Sequence, residues 1–127
     1  MTYQIEWKIP RHVVIVTYTD SITLEDLQGV NHDLQHFLQE GNAPVHVISY
    51  LKTNNMPTNL KAIRDLLTTL RLSGWGWFIV AGFDNALGRF LMSMVTNTFK
   101  LQAKAVENLD EAMEVIYRAD IKLRSLV

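Results

Sequence analysis

Apolar and polar residues alternate at the start of the chain. Apolar side chains occupy every second position of Tyr3–Ile9, and this period of two predicts a strand with one solvent-facing side. Pro10 and Arg11 form a predicted turn. The next segment, residues 12–19, reads HVVIVTYT and is apolar at neighbouring positions, which is typical of a strand covered on both faces. Together they predict an antiparallel hairpin at one edge of a sheet.

Helical and strand patterns alternate along the rest of the chain. Apolar side chains recur at helical spacing in four segments, which predict helices at residues 24–38, 60–70, 85–99 and 109–116. Short apolar runs between them predict strands at Val45–Leu51, Trp75–Ala81 and residues 101–106. Thr23 and Asp26 have the spacing of a capping box ahead of the first helix. Asn108 and Glu111 repeat that spacing ahead of the last helix.

The order of these elements is β-β-α-β-α-β-α-β-α. Strands that are joined through helices are expected to run parallel, with right-handed crossovers. The sequence therefore predicts one α/β domain over residues 1–127, with four helices on a mixed five-stranded sheet. Only the opening hairpin of that sheet is predicted to be antiparallel.

Composition narrows the range of partners and locations. The chain has a net charge of −1, so no strong electrostatic field attracts it to nucleic acid or an anionic membrane. It has no cysteine, which excludes disulfides and thiolate zinc sites. Its longest strongly apolar run, WGWFIVAGF, is far shorter than the ~20 residues of a membrane span. No signal peptide is visible. We expect a cytoplasmic protein with no nucleic-acid or membrane partner.

Three segments carry a resemblance to a known family. SITLEDLQGVNHDL, after the hairpin, is similar to a "G-x-L-T-x-E-D" entry into a first helix, and AVENLDEAMEVI is similar to "V-F-x-S-x-E-E-A-L". Between them, the strand VHVISYL leads through a loop to the second predicted helix. In this order, over nearly the whole chain, they resemble the STAS domain superfamily, which includes anti-sigma-factor antagonists and SpoIIAA-like proteins. The resemblance implies a regulatory module that binds another protein.

The chain departs from that family at its phosphorylation motif. Anti-sigma-factor antagonists usually carry "D-S-S-G-L" at the start of the second helix, and one of those serines is phosphorylated. The matching residues 56–60 read MPTNL, so that Thr58 or Asn59 stands at the serine position while the Asp and Gly are missing. Thr58 can accept a phosphate at a helix N-terminus, or it is simply an N-cap. The loss of the surrounding motif predicts a module without a working phosphoswitch.

A polar loop after the third strand is the predicted binding surface. Ligands and partners of open α/β sheets bind at the carboxyl ends of the strands. The predicted partner-binding residues lie in this loop and on one flank of the next helix: Thr53, Asn54, Asn55, Thr58, Asn59, Lys61 and Arg64. The basic flank, which also includes Arg71, suits an acidic partner, although long basic side chains often only cover core edges.

No enzyme motif is present, and no cofactor is expected. The sequence contains no G-x-S-x-G, H-E-x-x-H, G-x-G-x-x-G or G-x-x-x-x-G-K-[ST]. His32, His36 and Glu40 share one helix face, but no further histidine or cysteine can be placed beside them, so that no metal site is expected. His12 and His46, in or beside strands, are expected to be core or edge residues.

Two further expectations concern apolar residues. A carrier or sensor of an apolar or lipid-like ligand is the alternative function, with Trp77, Phe90 and Met94 lining a pocket between sheet and helices. Such residues are also ordinary core filling.

Near the C-terminus, exposed apolar side chains are expected to support a two-fold homodimer; they are Ile121, Leu123, Leu126 and Val127.

Overall fold

A computed structural model describes residues 3–20, 22–52, 74–82 and 102–126. The strands in these ranges are β1 (Tyr3–Ile9), β2 (Val13–Tyr18), β3 (Val45–Leu51), β4 (Trp75–Ala81) and β5 (Ala103–Val106). The helices are α1 (Leu24–Glu40), α2 (Leu109–Ala119) and a C-terminal 3-10 helix (Ile121–Leu126).

The five strands form one mixed sheet in the order β1-β2-β3-β4-β5. β1 pairs antiparallel with β2, whereas β2, β3, β4 and β5 pair in parallel. The predicted α/β class, the mixed sheet and the opening hairpin are confirmed. The prediction of four helices is not borne out, because the described ranges contain two α-helices. The predicted helices at residues 60–70 and 85–99 fall outside those ranges.

The hairpin turn is attached to the end of α1. Arg11 has a φ of 66°, a left-handed conformation that is uncommon for a residue with a side chain. Its carbonyl oxygen accepts a hydrogen bond from the Asn42 N–H at 2.8 Å, and its guanidinium donates to the Glu40 carbonyl at 3.3 Å. The last turn of α1 contains no basic residue, so Arg11 supplies the positive charge that favours the negative end of the helix dipole.

Both described α-helices begin at the predicted caps. The Thr23 side chain accepts from the Asp26 N–H and the Asp26 carboxylate accepts from the Thr23 N–H, each at 3.0 Å, which is a complete capping box. At α2, the Asn108 side chain accepts from the Glu111 N–H at 2.9 Å. The Glu111 carboxylate accepts from the Glu107 N–H instead of that of Asn108, so the predicted second box is only half formed.

Each face of the sheet has its own hydrophobic core. One core lies between the sheet and α1, whose Val30, Leu34 and Leu38 are buried there. The other core contains side chains of the opposite face together with Met113 and Ile116 of α2. Because neighbouring residues of a strand point to opposite faces, the almost continuously apolar β2 contributes to both.

The second core also contains a residue that we predicted to be exposed. Leu123 is only 1% exposed and belongs to the cluster that α2 covers, because the 3-10 helix turns its side chain back onto the sheet. The prediction that Leu123 is available for a dimer contact is therefore wrong. Ile121 is exposed over 76% of its surface, as predicted. The side chain of Leu126 and all of Val127 lie outside the described part.

Candidate functional site

The carboxyl ends of the parallel strands form one edge of the sheet. The Lys52 N–H donates to the Tyr18 carbonyl at 2.9 Å, so β3 leaves the sheet beside the end of β2. The Gly82 N–H donates to the Val106 carbonyl at 3.2 Å and aligns the ends of β4 and β5. The predicted binding loop begins immediately after Lys52.

This edge carries an exposed cation beside a tightly packed backbone. The Lys52 ammonium lies 5.4 Å from the centre of the Tyr50 ring, within the range of a cation–π interaction. Gly82 has a φ of 86°, and a Cβ there would lie 2.5 Å from the Leu51 carbonyl oxygen. A side chain at Gly82 would therefore disturb the point at which β3 enters the loop.

The predicted binding residues themselves fall outside the described ranges. They are Thr53, Asn54, Asn55, Thr58, Asn59, Lys61, Arg64 and Arg71. The structure thus gives the start of the predicted surface, at Lys52, and leaves the assignment of those side chains as a prediction.

Trp77, the described member of the predicted apolar pocket, is half-buried and packs against the core that α2 covers. Phe90 and Met94 lie outside the described ranges. One open groove of about 540 Å³ is lined by Trp7, Pro10, Arg11 and Glu40. Another, of about 520 Å³, runs between β1 and α2 and is lined by Lys8, Ile9, Asp110, Met113, Glu114 and Tyr117. Trp77 lines neither groove.

His46 is a buried titratable residue at the opposite end of the sheet, where β3 and β4 begin. Its side chain points to the face covered by α2, and the residue is 3% exposed. The pairing of β3 with β4 shifts here: β3 advances from Val45 to Val47 while β4 advances from Trp75 to Phe78. β4 thus contains one extra residue, which is a β-bulge.

The His46 ring satisfies a backbone donor at this bulge. Its Nδ1 accepts a hydrogen bond from the Trp77 N–H at 2.9 Å. A Cβ at Gly76 would collide with the same nitrogen, so glycine is needed for the ring to approach. An accepting Nδ1 carries no proton, which leaves the proton of the neutral ring on Nε2.

Nε2 of His46 faces the end of α2. It lies 3.7 Å from a carboxylate oxygen of Asp120 and has no hydrogen-bond partner in the described part of the chain. Burial lowers the pKa of His46 from its ordinary value, and His12 adds a smaller effect in the same direction. Asp120 raises that pKa, but less than burial lowers it.

Sequence reasoning placed His46 in the core and missed its two polar contacts. The available signal was Gly76 between two tryptophans, because an isolated glycine in an apolar strand indicates a bulge or a close approach.

On α1, the exposed His32 and His36 rings lie edge to face with centres 5.3 Å apart. Within the described ranges, no group of three metal-ligating side chains was found.

Comparisons with known proteins add no family assignment. The chain matches no protein-family model and no curated protein. Within the ranges that the structure covers, no helix has the length and apolar character that crossing a membrane requires.

Proposed function

We propose that this chain is a non-enzymatic, STAS-like interaction module that binds a regulatory protein at the carboxyl edge of its parallel strands. The observation that carries the proposal is the order of the sheet, in which an antiparallel hairpin is followed by strands that pair in parallel in their order along the chain. This is the arrangement that the resemblance implies. A cytoplasmic location is part of the same proposal.

Two local features support the same assignment. The first family-like segment, SITLEDL, contains the capping box between Thr23 and Asp26 at the start of α1. The second, AVENLDEAMEVI, contains the last two residues of β5, the N-cap Asn108 and the start of α2. Each segment therefore leads into a helix, which is the role that the resemblance gives to the first of them.

The proposed partner is an acidic protein surface. Lys52 is exposed at the start of the binding loop, and the sequence adds Lys61 and Arg64 on the flank of the next predicted helix. Basic groups on one side of an interface attract an acidic partner and orient it. The module is proposed to act without phosphorylation, with Thr58 serving as an N-cap.

The carrier alternative receives no support from the described residues. Its described residue, Trp77, packs against the core that α2 covers and lines neither of the two grooves described above.

Affinity purification from the native host, with mass spectrometry of proteins and lipids, tests the proposal. We expect a protein partner that is lost with Lys52→Glu and with the double variant Lys61→Glu/Arg64→Glu. Lys8→Glu is the matched control, because Lys8 is exposed beside the hairpin turn at the other end of the sheet. A bound lipid without a protein partner, or equal loss of the partner in Lys8→Glu, would contradict the proposal.

A further inference from the structure

We propose that His46 is a proton-sensitive pin at the bulge of β4: its neutral ring holds the Trp77 N–H, and its protonation releases that N–H while the ring stays beside Asp120 at the end of α2. The proposal is independent of the function proposed above, because His46 lies at the opposite end of the sheet from the binding loop.

The first half of the pin is the hydrogen bond from the Trp77 N–H to Nδ1. When the ring is protonated, Nδ1 becomes a donor, so two donors then face each other 2.9 Å apart. The ring has little room to turn away, because Gly76 lies against it. Protonation therefore leaves the Trp77 N–H without its acceptor at the bulge.

The second half of the pin is the approach of Nε2 to Asp120. Asp120 ends α2, where its N–H donates to the Ile116 carbonyl at 2.8 Å. Its own carbonyl accepts from the Leu123 N–H at 3.1 Å. Protonation keeps the Nε2–H and adds a charge that the Asp120 carboxylate attracts, so the turn that holds Leu123 in the core is expected to stay in place.

Burial outweighs the charged groups that face the ring. Asp120 faces it from the end of α2 and His12 from the start of β2, while Gly76 and Trp77 of β4 contribute no titratable group. Burial, the largest effect, lowers the pKa of His46 below 6.5. The unfolded or locally opened chain therefore binds the proton more tightly than the closed structure.

The sign of the pH dependence follows from that lowered pKa. The stabilisation is fully present above the ordinary pKa of 6.5 and is lost as the pH falls from there towards the pKa of the folded protein. Each unit by which the pKa is lowered corresponds to about a tenfold loss in the folding or closing constant.

NMR of the intact, isotope-labelled protein tests the pin between about pH 8 and pH 5, the range of histidine titration. At the high end, we expect the His46 ring to carry its proton on Nε2. As His46 becomes protonated, we expect the hydrogen-exchange protection of the Trp77 amide to fall while that of the Leu123 amide stays, after correction for the intrinsic pH dependence of exchange. A proton on Nδ1 at the high end, or unchanged protection of the Trp77 amide when His46 titrates, would overturn the proposal.

Two variants separate His46 from the other histidines. In His46→Asn, an amide oxygen near the position of Nδ1 keeps an acceptor for the Trp77 N–H but cannot titrate, so we expect the protection to become independent of pH. His32→Asn, in an exposed ring on α1, should keep the wild-type profile. Wild-type pH dependence in His46→Asn would also overturn the proposal. If His46→Asn does not fold, the wild-type titration decides alone.

Discussion

At the scale of single residues, Gly76 is the position where one added methyl group has the clearest expected cost. The Cβ of Gly76→Ala would collide with the His46 ring, which is buried and bonded to the next N–H of the chain. We expect a destabilisation of about 1–3 kcal/mol, the usual cost of overpacking a well-filled interior. Chemical denaturation measures it.

A double-mutant cycle identifies the cause of that loss. In a His46→Ala background the side chain beyond Cβ is absent, so Gly76→Ala should cost less than it does in the wild type. An equal cost in both backgrounds would mean that backbone conformation, and not the collision, explains the effect.

Thr58 gives a second prediction at this scale, drawn from the sequence. If it is only an N-cap, Thr58→Ala should destabilise the protein by about 1 kcal/mol. Thr58→Glu should be nearly neutral for the free energy of unfolding, because an acidic side chain at a helix start is favoured by about 0.3–1 kcal/mol. Denaturation measurements check these outcomes, and stoichiometric phosphate on Thr58 in protein from the native host would restore the phosphoswitch.

At the scale of elements, α1 depends on the capping box that the sequence predicted. Thr23→Ala removes the acceptor of the Asp26 N–H, so we expect a loss of about 0.5–2 kcal/mol in the free energy of unfolding. Gln28→Ala is the control, because Gln28 is exposed within the same helix and alanine favours helices. A shift of the denaturation midpoint in both variants alike would rule out a specific role of the cap.

The elements that the sequence predicted correctly are those with local signals. The alternation in β1, the cap at Thr23 and the turn at Arg11 each depend on residues within a few positions of one another. Strand ends differ slightly, as for β5, predicted from residue 101 and observed as Ala103–Val106. The end of a strand depends on where its neighbour stops pairing, and a single segment does not contain that information.

The contacts of His46 show which features local sequence patterns do not predict. His46 and Trp77 are 31 positions apart in the chain, and their contact depends on the bulge that shifts β4 against β3. Leu123 was assigned to the surface for the same reason, since its burial depends on how Asp120 ends α2 and turns the chain. Both features arise from tertiary packing.

At the scale of the whole molecule, the two outer strands of the described sheet are poorly suited to pairing with a second copy of the chain. The pairing of β1 with β2 shifts between Trp7 and Ile9, which is a β-bulge. The extra residue of this bulge is the exposed Lys8, and β1 is an outer strand of the described sheet. β5, at the other side, has four residues and includes the exposed Lys104. Bulges, short strands and lysines all oppose edge-to-edge pairing of sheets, so a dimer would have to use a different surface.

Ile121 is the remaining described candidate for that surface. Among the described residues, it is the large hydrophobic side chain that is exposed, over 76% of its surface. Leu123 of the same 3-10 helix is buried in the core. If two copies associate through this segment, Ile121→Lys should convert a dimer to a monomer, because a two-fold contact would bring both lysines together and bury their charges. It should leave the free energy of unfolding of the monomer unchanged, since an exposed side chain contributes little to it.

Light scattering over a concentration series measures the association, and Lys104→Glu on β5 is the control that should remain dimeric. A wild-type protein that stays monomeric at high concentration, or an Ile121→Lys protein that still dimerises, would remove this surface from consideration.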